Sequence, residues 1–154
     1  MLKQNPWYIN VMLVVFVLFI IENILSIIFV PYPLTAPVFG IDLTNLYVKL
    51  VWTAELILLL TAVVFTLKKN RIGLYAALIF LAYRALDYLI TGIVIFSDIN
   101  IYLQKSIEFG TRIPTNTAEW TATIAGISAA ILTGFLIYTA AFILLIRKRK
   151  YYKN

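Results

Sequence analysis

Four long apolar runs, at about residues 8–30, 44–67, 72–96 and 120–146, leave this chain one class of fold. A helix that crosses a bilayer needs about 20 predominantly apolar residues, and each run is long enough. Only 13% of the 154 residues are charged, where a soluble domain carries about 25%. In lipid a helix satisfies its own backbone donors and acceptors, so each run is expected to form one. The expected fold is an all-α, four-helix transmembrane bundle, a single transmembrane domain over residues 1–154.

The third run holds the least expected residues. Its centre reads AYRALDYLITG, residues 82–92, with Arg84 and Asp87 flanked by apolar turns. A charge at the middle of a membrane helix costs about 2.5–3.5 kcal/mol on insertion scales, so it needs a reason. The i, i+3 spacing puts Arg84 and Asp87 on one face, and Tyr88 and Thr91 extend that face.

The rest of the chain sets the depth of this stripe. Trp7 and Tyr8 read as interfacial anchors of the first helix, which is too long for a signal peptide and lacks its cleavage site. Pro31, Pro33 and Pro37 end that helix and keep the next segment extended, resting on the mouth of the bundle. Asp42 or Thr44 is expected to cap the second helix, and Lys49 to snorkel outward. KKNR, residues 68–71, is a tight basic turn. In the longer outer loop, 97–119, Ile99, Tyr102, Leu103 and Ile107 recur at helical spacing and predict a short amphipathic helix. Asn116 with Glu119 reads as a capping box for the fourth helix.

Lys and Arg fix the expected orientation. Lys3, Lys68, Lys69, Arg71 and the run from Arg147 to Lys153 fall on one side. Lys49, Lys105 and Arg112 fall on the other, accompanied by Asp42, Asp98, Glu108 and Glu119. The positive-inside rule then predicts a multi-pass membrane protein with both termini in the cytoplasm.

At a rise of 1.5 Å per residue, Glu22 lies ~12 Å from the outer end of helix one. Glu55 and Asp87 lie ~14 Å from the outer ends of helices two and three, with Arg84 one turn deeper. Three carboxylates on three helices thus share one layer, with Asn23, Tyr88 and Ser128 at similar depth, together with Ser26 and Tyr83. One expectation is an interhelical clamp built on Arg84. Three carboxylates against one guanidinium leave two negative charges over, so the other expectation is a site that holds a proton or cation.

On helix four, Ala118, Ala122, Gly126, Ala130 and Gly134 form an i, i+4 ladder of small residues that permits close helix approach. It predicts packing within the chain or, alternatively, contact with a partner helix or second copy. The RKRKYYKN tail serves as a topology signal or binds anionic head groups.

Cysteine and histidine are both missing, which removes thiol chemistry, the usual haem ligands and most zinc and copper sites. No phosphate-binding loop, dinucleotide fingerprint, HExxH or GxSxG pattern occurs. No metal, cofactor or catalytic residue is therefore expected, and no nucleic-acid partner.

The stretch AELILLLTAVVFTLKKNRIGLYAALIFLA, residues 54–82, resembles in hydropathy the DoxX-like proteins and the EXPERA-domain sterol proteins. Helix one lacks the Arg and Gly–Lys pattern of the first, and the chain lacks the histidines of the second, so no family site carries over.

Three functions remain. The leading one is a non-catalytic accessory or structural subunit of a larger membrane complex, held together by the clamp and joined to other subunits or to itself. The second is a small proton- or cation-coupled carrier or channel using the intramembrane carboxylates. The third is a lipid- or quinone-binding protein.

Overall fold

The structure, a computed structural model, describes residues 6–29, 35–44, 46–99 and 114–152. Four helices carry the fold: α1 (Trp7–Phe29), α2 (Leu46–Leu67), α3 (Arg71–Ser97) and α4 (Thr117–Arg147). All four are long and apolar enough to cross a membrane. A hairpin of two short strands, β1 (Thr35–Val38) and β2 (Ile41–Thr44), joins α1 to α2. Helix α3 packs on both α2 and α4, and α1 packs on α2.

The core is a seam of large residues around α3. Phe80 meets the edge of Phe16 with ring centroids 5.6 Å apart, while Phe19 stacks on Tyr138 at 5.9 Å. Ile9, Leu13, Leu59, Ala62 and Ala77 complete it. Leu18, Leu25, Ile57, Leu132 and Leu136 point outward and are exposed. That apolar exterior is what a bilayer stabilises and water does not.

The α2–α3 turn is a Schellman motif. Lys69 has a φ of 54°, its N–H donates to the Thr66 carbonyl, and the Asn70 N–H donates to that of Phe65. Asn70 also starts the next helix, its side chain accepting from the Ile72 N–H at 2.8 Å. At Gly73 an added Cβ would strike the Thr66 backbone, so glycine allows the two helices to close.

Beyond α4 a short 3-10 turn, Arg149–Tyr151, folds the tail back onto this basic end. Tyr152 is buried, its hydroxyl 3.2 Å from Thr66 Oγ1. Tyr151 lies edge-on to it, under the Lys69 ammonium. The tail is thus packed structure as well as charge. Burial pushes the Tyr152 hydroxyl from the usual value near 10 up to about 12, an effect opposed by the Thr66 bond and reinforced by Tyr151 and Tyr8. The raised folded-state value means stability is intact below pH 10 and falls as pH climbs from 10 through about 12. Alkaline melts should show this loss in the parent chain and a shallower one in Tyr152→Phe.

Two expectations about the caps change. Asp42 and Thr44 lie in β2 and precede α2, which begins at Leu46, so neither is its N-cap. Asn116 does cap α4, accepting from the Glu119 N–H at 2.9 Å. The Glu119 carboxylate reaches one residue further back than a capping box requires, to the N–H and hydroxyl of Thr115. The amphipathic helix expected within 97–119 lies outside the described residues.

Candidate functional site

The segment between α1 and α2 is the first surprise. The segment expected to be merely extended is a hairpin, in which Thr35 pairs with Thr44 and Val38 with Ile41 in an antiparallel register. The two turn residues, Phe39 and Gly40, have φ of 50° and 71°, the left-handed pair that a type I′ hairpin turn requires. Phe39 is an unusual residue there, because a side chain at positive φ crowds its own carbonyl. Its contacts offset that cost: the ring meets Tyr83 edge-on at 5.4 Å, and the N–H finds a charged acceptor inside the bundle.

That acceptor is Asp87. Its Oδ1 accepts from the Phe39 N–H at 2.7 Å. Thr91, one turn along the same helix face, accepts from the Gly40 N–H at 3.0 Å and donates to Asp87 Oδ1 at 3.4 Å. Gly40 is required for a second reason. An added Cβ would sit 2.5 Å from Val94 Cγ2. The hairpin tip therefore seats on α3 over a row made by Asp87, Thr91 and Val94.

Arg84 ties this row to α2. Its Nη1 lies 3.3 Å from Glu55 Oε1 and 3.7 Å from Asp87 Oδ2. Both carboxylates are buried, while the arginine side chain is a quarter exposed. The guanidinium also lies over two aromatic rings, 5.5 Å from the Tyr88 centroid and 5.7 Å from that of Tyr138. Cation–π contact of this kind is worth about 2 kcal/mol or more where water is excluded. One charged head thus links α2, α3 and α4, and Asp87 extends the link to the hairpin.

The remaining expected members divide. Asn23 is buried and donates from Nδ2 to the Phe19 carbonyl at 3.1 Å. With Glu22, Ser26, Trp52, Glu55 and Arg84 it lines a polar recess of about 90 Å³, the bulk of a few water molecules. Glu22 stands at the exposed rim and makes no ion pair among the described residues. Glu22 and Glu55 share this recess and Asp87 does not line it, and among the described residues no three acidic side chains form a group able to hold a metal ion. Ser128 does not join the cluster. Its hydroxyl donates to the Ile124 carbonyl at 2.7 Å, and it borders a separate apolar groove with Leu89, Gly92 and Ile131.

The small-residue ladder of α4 also divides. Gly134 packs inside the chain, where a Cβ would strike the Tyr88 ring. Around Gly126 a Cβ would meet nothing within 4 Å, and Ala118, Ala122 and Ala130 are exposed. Sequence reasoning missed Tyr138, which stacks on both Phe19 and Tyr88 and lies beneath Arg84. Its only signal was a tyrosine deep in an otherwise apolar helix.

Comparison of the chain with protein-family models, with curated proteins and with solved structures returns no match. The structure defines the class alone: a four-helix chain long and apolar enough to span a membrane, with an arginine at the junction of α2, α3 and α4.

Proposed function

We propose that this protein is a non-catalytic integral membrane subunit whose buried ion-pair cluster clamps three helices and pins the outer hairpin. One observation carries the reading: the two buried carboxylates are engaged by the chain's own donors. Glu55 faces Arg84, and Asp87 is shared among Arg84, Thr91 and the Phe39 amide. A carrier's exchanging carboxylate must be released to solvent in turn, whereas releasing Asp87 here means lifting the hairpin. The surface offered to neighbours is the outer half of α4, where Ala118, Ala122 and Gly126 are exposed and small enough for close helix contact. Both termini lie in the cytoplasm on this reading, on the strength of the Lys/Arg asymmetry.

Native gels of the chain extracted from its own membrane in mild detergent test the assembly. The expected result is migration within a larger complex and release of a folded Gly126→Leu variant from it. A parent chain that migrates alone contradicts the reading. Because the chain has no cysteine, Asn70→Cys and Lys105→Cys report topology cleanly. They should label from opposite faces, position 70 from the cytoplasm.

The second reading, a small proton- or cation-coupled carrier, draws on Glu22 at the rim of the polar recess. It requires ion flux in proteoliposomes that Glu22→Gln abolishes without changing the melt.

A further inference from the structure

Helices α1 and α4 stand apart along much of their length. Between them runs a cleft of about 680 Å³, floored by Leu81 and Tyr88 of α3. Its width comes from α4, which presents Ala129, Ala130, Thr133 and Gly134 where larger residues would close the gap. The cleft follows α1 from Tyr8 to Phe19 and α4 from Ala129 to Leu144. At 1.5 Å per residue those stretches are about 16 and 22 Å long. One leaflet of hydrocarbon is about 15 Å deep, half of a core of about 30 Å. The groove therefore has the length of one extended lipid chain.

Its two ends differ. The deep end lies at Ala129 and Ala130 of α4, with Tyr88 and Tyr138, the rings beneath Arg84, partway along the wall. The shallow end opens beside Tyr8 and Leu144, at the basic end of the bundle. There the Lys148 ammonium lies 5.7 Å from the Tyr8 ring centroid, and Arg147 and Lys148 are exposed. Apolar length below a cationic mouth is complementary to one ligand chemistry, an acyl chain carrying an anionic phosphate head.

We infer that the α1–α4 cleft is a binding site for one chain of an anionic phospholipid, with its phosphate at Arg147 and Lys148. This goes beyond the subunit reading, which uses the opposite, outer half of α4. The lipid wedges α1 against α4, two helices that otherwise meet mainly through Phe19 and Tyr138 in the middle and Lys148 and Tyr8 at the end.

Native mass spectrometry of the purified full chain, offered equal phosphatidylglycerol and phosphatidylcholine, tests it. The expected result is one retained phosphatidylglycerol per chain. Ala130→Phe and Thr133→Phe fill the cleft from exposed positions, so both should melt like the parent and lose the lipid. Arg147→Gln and Lys148→Gln should each lower the preference for phosphatidylglycerol about fivefold, the factor for one surface charge. Equal retention of the two lipids overturns the inference, as does retention by both filled variants. A parent that is a lipid-free dimer, split by Ala130→Phe, overturns it in favour of a second copy in the cleft.

Discussion

Arg84→Leu should be the most damaging single substitution in this chain. It leaves Glu55 and Asp87 buried without the guanidinium both of them face. Breaking a buried pair from one side costs about 3–5 kcal/mol. The lower end applies here, because the arginine side chain is a quarter exposed. Replacing the whole set is a different experiment. Arg84→Leu combined with Glu55→Gln and Asp87→Asn removes every charge together and leaves the Phe39 amide an acceptor. The triple variant should melt above the single one and close to the parent. Thermal melts in one detergent decide this. A single variant as stable as the parent means that Arg84 is solvated and clamps nothing.

Gly134→Leu should come second. Its side chain must occupy the volume of the Tyr88 ring, and displacing that ring breaks its stack on Tyr138 and its contact with Arg84. Overpacking of this kind costs about 1–3 kcal/mol. Gly126→Leu, two turns away on the same ladder, meets nothing within the chain. In the isolated protein it should be neutral, or stabilising by up to about 1 kcal/mol from helix propensity alone. Melts of both variants in detergent separate an internal contact from an outward one, which sequence spacing treats alike.

That pair also marks how far the sequence could be read. The four helices begin and end within a few residues of the expected limits, because length and apolarity decide them and nothing in the chain competes. The depth of Glu55, Arg84 and Asp87 follows from the rise per residue, and depth was enough to anticipate their meeting. Rotation about each helix axis was not legible. In water the apolar face marks the core, but in lipid both faces are apolar and the phase is lost. Ser128 shows the consequence: its depth is close to that of the cluster and its direction is wrong. Tyr138 is the converse, a residue pointing into the cluster with no pattern to announce it.

The hairpin was hidden for another reason. Its turn is Phe–Gly, where the strong signal is Asn–Gly or Asp–Gly, and three prolines suggested extended chain only. Tertiary contact holds it instead. Phe39 keeps a positive φ because Asp87 and Tyr83 are there to receive it. A local reading of the sequence cannot contain that information, since the partners lie over forty residues away.

The same contact offers the most direct test of the account. If the ion-pair cluster is a pin between hairpin and helices, the Phe39 amide is bonded to the Asp87 carboxylate, and hydrogen exchange in lipid nanodiscs should find it protected. Asp87→Ala should speed exchange at Phe39 and Gly40 together, while leaving the α2 amides around Leu59 slow. A Phe39 amide that already exchanges at the rate of an open loop in the parent chain would mean that the hairpin is not held by Asp87, and the clamp would lose its outer half.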